Sequence, residues 1–168
     1  GWLAAAIDHA LAGNNDERAA YLIETSADVI LMRSEVTTLQ RWIETLPDKL
    51  VRTRPLLCIY HAITLVLGGS SLESATGRLQ AAIEVDEADA DSGGVIAFRA
   101  WLAALQGNTR QAIELSQQAL QLLPENRLFL RSLVSASVGL AYFLNGELEP
   151  AFQAFSEVSS IGRKTGNV

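Results

Sequence analysis

Three side chains of nucleophilic or basic type lie close together in the middle of the sequence. In a helix, Cys58 and Thr64 would each lie about one turn from His61. A base beside a thiol or a hydroxyl is the arrangement that nucleophilic catalysis requires. No third group that could orient the imidazole is evident, and the surrounding stretch is apolar. We therefore expect His61 to be a hydrogen-bonded histidine of the core or of a groove, and not a catalytic base.

A metal site is the second chemistry to consider, because Asp8 and His9 are adjacent. Neighbours in a helix point to different sides, and nothing nearby completes a ligand set. Cys58 is the only cysteine, which excludes an internal disulfide and a multi-cysteine zinc site. The sequence thus predicts a protein that is not an enzyme and a chain that binds no metal or other cofactor.

The composition is typical of a packed helical domain. Of the 168 residues 49% are hydrophobic and 19% charged, which excludes a disordered tail. A net charge of −6 argues against direct contact with nucleic acid, whose partners usually carry a basic stripe. The most apolar stretch, from Leu56 to Leu67, is too short to span a bilayer, and no segment has the order of a signal peptide. We therefore predict a cytoplasmic location with no membrane contact.

Apolar residues recur at helical spacing along the whole sequence and indicate about nine helices. Pro55 suits the first turn of a helix, and breaks fall at Gly107-Asn108 and at Asn145-Gly146. Short connections imply antiparallel neighbours. The predicted fold class is all-α, an α-α superhelix of antiparallel helical hairpins, with a frayed tail from Gly162 to Val168.

The turns of the second half of the sequence repeat. A glycine ends one helix at positive φ, a small alanine lets the next helix lie close, and a proline stops it. The repeating positions are Gly107, Ala112, Ala119 and Pro124, then Gly139, Tyr142, Gly146, Ala151 and Phe155. This pattern resembles the tetratricopeptide (TPR) repeat. Ala112 and Ala151 are 39 residues apart where the standard period is about 34, so the helices are longer than in a regular array.

The first third of the sequence carries a more specific order of motifs. These are the segments Ala6–Ala12, Glu17–Glu24, Thr38–Pro47 and Arg54–Cys58. Their order resembles the region that joins the ATPase module to the helical repeats in MalT-like, LuxR-family transcription activators. The resemblance is strong from Ala4 to Leu67. After Leu67 the sequence resembles TPR arrays in general.

In that family an N-terminal P-loop ATPase and a C-terminal helix-turn-helix flank a TPR-like sensor. This sequence contains neither GxxxxGK[ST] nor a reading helix, so the resemblance implies the sensor portion of a larger protein, with ATP bound on another module. We expect a single helical-repeat domain over residues 1–168, with entry helices in 1–54, hairpins in 55–161 and the tail in 162–168.

The resemblance implies a non-catalytic sensor whose partner is a small-molecule inducer or a regulatory protein, and which controls self-association and transcription activation. The alternative is a stand-alone TPR-like scaffold that binds a peptide or a protein, because one fold serves many functions. An enzyme is the weakest reading, since no nucleophile has an oriented base.

The TPR register predicts which side chains line the concave face. The predicted effector-binding residues are Phe98, Trp101, Leu105, Arg131 and Leu140, together with His61. Aromatic rings on such a face suit stacking against a ring, a sugar or a peptide side chain. Core packing between hairpins is the alternative for Phe98 and Trp101, and we favour it because longer helices shift the register.

Overall fold

The computed structural model describes residues 2–86 and 92–164, and every regular element in these two ranges is an α-helix. The ten helices are α1 Trp2–Ala12, α2 Asp16–Met32, α3 Val36–Thr45, α4 Asp48–Arg52, α5 Pro55–Leu67, α6 Leu72–Asp86, α7 Ser92–Leu105, α8 Thr109–Leu122, α9 Leu128–Leu144 and α10 Leu148–Lys164. They pack as antiparallel pairs, which confirms the predicted fold class. In the described ranges no helix is long and apolar enough to cross a membrane.

The chain divides into two compact units, Gly1–Asp91 and Ser92–Val168. The first unit contains α1 to α6 and the second contains α7 to α10. The predicted division after residue 54, between entry helices and hairpins, lies within the first unit and stays a prediction.

The first unit is built around α5. Pro55 occupies its first turn, as predicted, and the nine residues from Leu56 to Thr64 are all buried. Helices α2, α3, α4 and α6 all contact it, while α1 packs against α2 and α3. A helix that is apolar on every side can be stable only when neighbours cover every side, so α5 dictates the arrangement of the others.

Polar side chains join these helices at their contacts. The Trp42 indole Nε1 of α3 donates to Asp8 Oδ1 of α1 over 2.7 Å. Arg54, just before α5, donates to Glu24 Oε2 over 2.9 Å and to Glu17 Oε2 over 2.7 Å, both on α2. All five residues belong to the ordered motifs of the first third of the sequence, and here they link one helix to another.

The helix number agrees with the prediction of about nine, and one predicted helix end needs correction. The sequence indicated about nine helices, and the described ranges contain ten. The additional helix, α4, has only 5 residues, and Pro47 both follows the end of α3 and caps α4. The predicted frayed tail begins too early, because α10 continues to Lys164. Residues 165–168 lie outside the described residues.

The second unit consists of the hairpins α7–α8 and α9–α10, with α9 packed against both α7 and α8. Gly107 and Gly146 have φ angles of 77° and 80° at the two turns, a conformation that glycine adopts without strain. The small side chains between the helices form a buried cluster, which consists of Ala103, Ala104, Ala112 and Ala141. The repeated glycines and alanines thus have the structural roles that the sequence predicted.

We expect Asp8→Ala to lower the free energy of unfolding by about 1–2 kcal/mol, because the buried Trp42 indole N–H would lose its acceptor. Asp8→Asn is the matched control, since its amide oxygen can still accept the bond. Urea unfolding followed by circular dichroism measures both variants. Equal losses for the two substitutions would show that the indole bond is not the cause.

A second prediction compares two helical glycines. A Cβ at Gly93 would lie 3.1 Å from backbone atoms of both Leu122 and Leu123, whereas one at Gly77 would meet nothing within 4 Å. We expect Gly93→Ala to lower the free energy of unfolding by about 1 kcal/mol or more. Gly77→Ala should leave it unchanged or raise it by up to about 1 kcal/mol through helix propensity. Thermal unfolding of the two variants tests this prediction. If Gly93→Ala were stabilised, the close approach of Gly93 to the backbone of Leu122 and Leu123 would be contradicted.

Candidate functional site

The histidine of α5 is separated from both of its neighbouring nucleophiles. Cys58 Sγ donates to the Val51 carbonyl oxygen over 3.2 Å, and Thr64 Oγ1 donates to the backbone carbonyl of His61 over 2.8 Å. Neither group is bonded to the imidazole. Burial also raises the pKa of the Cys58 thiol to about 11, so the thiol stays protonated at neutral pH. This arrangement does not provide an activated nucleophile.

The imidazole of His61 is buried without a hydrogen-bond partner. Only 4% of the residue is exposed, and among the described residues no group bonds to Nδ1 or to Nε2. Glu44 Oε1 lies 3.6 Å from Nε2, too far for a hydrogen bond. An unsatisfied buried polar atom costs about 1–3 kcal/mol. A group that supplied the missing bonds would recover part of this free energy.

His61 lines a cavity of about 420 Å³ in the first unit. Helices α3, α4, α5 and α6 each contribute to its walls. The lining residues are Glu44, Arg52, His61, Leu65, Ser74, Gly77 and Arg78. We call this space the His61 cavity. Most of its lining side chains can donate or accept hydrogen bonds, so it is suited to a polar ligand.

One carboxylate holds both arginines of the cavity in place. Arg52 Nε donates to Asp48 Oδ2 over 2.7 Å, and Arg78 Nη1 donates to Asp48 Oδ1. These two hydrogen bonds lower the pKa of Asp48 below its ordinary value, and the bond from Arg52 has the larger effect. Asp48 and Arg52 lie one turn apart on α4, whereas Arg78 comes from α6. The short helix α4 therefore brings the two guanidinium groups together.

Burial and charge together keep the imidazole neutral. Burial is the main cause that lowers the pKa of His61, and the positive charge of Arg78 adds to it, while Glu44 acts in the opposite direction. A neutral imidazole has one N–H donor and one acceptor nitrogen. His61 can therefore both give and receive a hydrogen bond.

The lowered pKa of His61 predicts a dependence of stability on pH. Above the ordinary histidine value of about 6.5 the imidazole is neutral in both the folded and the unfolded chain. As the pH falls below that value the unfolded chain takes up the proton first, so stability is lost as the pH falls through the lowered pKa. We expect the urea midpoint of the wild type to fall more between pH 7 and pH 5 than that of His61→Gln. His9→Gln, at an exposed position, is the control and should follow the wild type. If the urea midpoints of the wild type and of His61→Gln fell equally between pH 7 and pH 5, this interpretation would be contradicted.

The other five predicted binding residues lie in the second unit. Phe98 is fully buried and Trp101 nearly so, and their rings meet edge to face with centroids 5.8 Å apart. This agrees with the core-packing alternative. Arg131 Nη1 donates to the Leu123 carbonyl oxygen over 3.1 Å, and Leu140 packs against the alanine cluster. Leu105 is exposed. Binding by these five residues stays a prediction.

Sequence reasoning identified His61 but missed the side chains around it. Glu44, Ser74 and Arg78 lie on helices α3 and α6, and Arg78 is 30 residues from Asp48. One local signal was present, the spacing of Asp48 and Arg52 at i and i+4, which suits an ion pair on a helix. Nothing in the sequence indicated that the same aspartate also binds Arg78.

The adjacent pair Asp8-His9 has a structural role in this fold, because Asp8 accepts the hydrogen bond from Trp42. Within the ranges that the structure describes, no group of three or more His, Cys, Asp or Glu residues is placed to hold a metal ion.

Comparison with known families finds a match in the second unit. Residues 93–168 match the family model described as the MalT-like TPR region. This part of the chain is similar to the MalT-like TPR region, a helical domain found in MalT- and LuxR-type regulators, and the resemblance that the sequence suggested is confirmed over these residues. The match begins beyond the motifs of the first third, so their resemblance stays a prediction. The chain matches no curated protein and no solved structure.

Proposed function

We propose that this chain is a non-catalytic regulatory region of a MalT-like, LuxR-family transcription regulator, and that the His61 cavity receives its small effector. The match of residues 93–168 to the MalT-like TPR region carries the proposal. Helical regions of this kind bind proteins or ligands and are typically non-catalytic. ATP would bind to a separate N-terminal module, and effector binding would control self-association of the whole regulator.

The choice of the His61 cavity as the effector site rests on its unpartnered polar atoms. The imidazole is the one titratable side chain of the described core with both polar atoms unsatisfied. By contrast, a larger cavity of about 640 Å³ between α1 and α2 is lined mainly by apolar and small side chains. A specific ligand needs a few well-placed polar groups, and the His61 cavity provides them.

Affinity selection from a defined mixture of amino acids, organic acids, sugars and nucleotides tests the proposal. We expect the wild-type chain to retain at least one compound, detected by mass spectrometry, and His61→Leu to lose it. His9→Gln is the matched histidine control and should retain the compound. Sedimentation velocity with and without that compound would then reveal a change in self-association. Retention of nothing, or equal retention by His61→Leu, would contradict an effector site at His61.

The second candidate function is a scaffold that binds a peptide or a protein, and the last helix favours it. Leu148, Phe152 and Phe155 follow one another at i, i+4 and i+7 on α10, and Phe152 is 70% exposed. Exposed apolar stripes of this kind often mark interaction sites. A peptide library screened against the wild type and Phe152→Ser separates the two functions. A scaffold should retain peptides that Phe152→Ser loses, whereas the effector role does not depend on Phe152.

A further inference from the structure

The charges around the His61 cavity restrict the chemistry of a ligand. Glu44 and Asp48 carry two negative charges, and Arg52 and Arg78 carry two positive ones, so the formal sum is zero. The imidazole adds no charge when it is neutral. A ligand with a large net charge would therefore gain from one pair of groups and lose to the other. A ligand that presents an anionic group to the two arginines and a hydrogen-bond donor to Glu44 avoids this conflict.

The two guanidinium groups can receive the anionic group. Each arginine uses one N–H to bond to Asp48, namely Nε of Arg52 and Nη1 of Arg78. A guanidinium has five donors in a rigid fork, so most of them remain for a ligand. Such forks match the geometry of a carboxylate. Asp48 acts here as a positioning residue, because both guanidinium groups are hydrogen-bonded to its carboxylate.

Glu44 and His61 can accept a donor group. Glu44 Oε1 receives a hydrogen bond from Gln40 Nε2 over 2.8 Å and lies 3.6 Å from His61 Nε2. The His61 side chain is only 6% exposed, and both of its nitrogens lack a partner among the described residues. A hydroxyl or an ammonium group that approaches Glu44 and His61 from the cavity would donate to the carboxylate, and a hydroxyl could also bond to the imidazole.

We propose that the His61 cavity binds a small carboxylic acid with a hydroxyl or ammonium group beside the carboxylate, the carboxylate on Arg52 and Arg78 and the donor group on Glu44 and His61. This assignment rests on the proposed effector site and specifies its ligand class. Hydroxy acids and amino acids share this chemistry, and the test distinguishes them.

Gly77 provides a variant that changes the shape of the cavity without changing its charge. It lies in α6 on the cavity wall, and a Cβ there would meet no atom within 4 Å. A leucine at this position would extend into open space, so we expect Gly77→Leu to remain folded and to occupy part of the cavity.

Isothermal titration calorimetry on the whole chain tests the ligand class with four small organic probes and with inorganic phosphate. L-lactate and L-alanine carry both groups, propionate lacks the donor, and lactamide lacks the carboxylate. At roughly 10 mM, well above a dissociation constant of about 1 mM, we expect lactate or alanine to bind. We expect propionate and lactamide to bind at least about tenfold more weakly, because each leaves one set of cavity groups unpaired.

The variants locate the binding. Arg78→Gln and Gly77→Leu should each weaken binding of the preferred probe by about tenfold or more. Arg110→Gln is the matched control, because Arg110 is an exposed arginine of α8 paired with Glu114, and it should bind like the wild type. Circular dichroism checks that each variant is folded. If Arg78→Gln does not fold, Gly77→Leu still provides the test.

Three results would overturn the ligand class. These are equal binding of propionate and lactate, binding of inorganic phosphate in place of both acids, and failure of lactate and alanine to bind. If affinity selection still yields a compound that depends on His61, only the ligand class is wrong. If that selection also yields nothing, the proposed effector site is wrong as well.

Discussion

The burial of α5 from Leu56 to Thr64 is the constraint on which the first unit depends. Nine consecutive residues of this helix are buried, so helices must cover it on all sides and every polar atom that it carries needs a partner. Tyr60 donates its hydroxyl to Asp28 of α2, and Cys58 and Thr64 bond to backbone carbonyls. His61 is the exception. Its unsatisfied imidazole, at the wall of a cavity with two arginines and a glutamate, is the feature on which the proposed site rests.

The small residues of the second unit and the polar residues of the first have different roles. In the second unit, the repeated alanines and glycines of the MalT-like TPR region make close helix packing possible, and Phe98 and Trp101 add apolar volume to that core. In the first unit, polar residues of the ordered motifs link helices, and a smaller set of them surrounds His61. The family match thus covers the second unit alone, whereas the proposed ligand site consists of residues outside the matched range.

The fold could be predicted from the sequence to a large extent because its signals are local. Helical periodicity, Pro55 in a first turn, and glycines at the turns near residues 107 and 146 all act within a few residues. Helix α4 was missed because 5 residues are too few to show a period. The site was predictable only in part. His61 stands out by its residue type, but Arg78 meets Asp48 across 30 residues, and no local pattern reports such a contact.

The most direct test of the central claim is the protonation state of His61 in the free protein, measured by nitrogen-15 NMR of the histidine side chains. We predict a neutral imidazole at pH 7, with one protonated and one bare nitrogen, because burial and Arg78 both disfavour the charged form. A doubly protonated ring at that pH would mean that His61 forms an ion pair with Glu44 over the 3.6 Å that separate them. The imidazole would then be satisfied by the protein itself, and the reason to place a ligand in the His61 cavity would be gone.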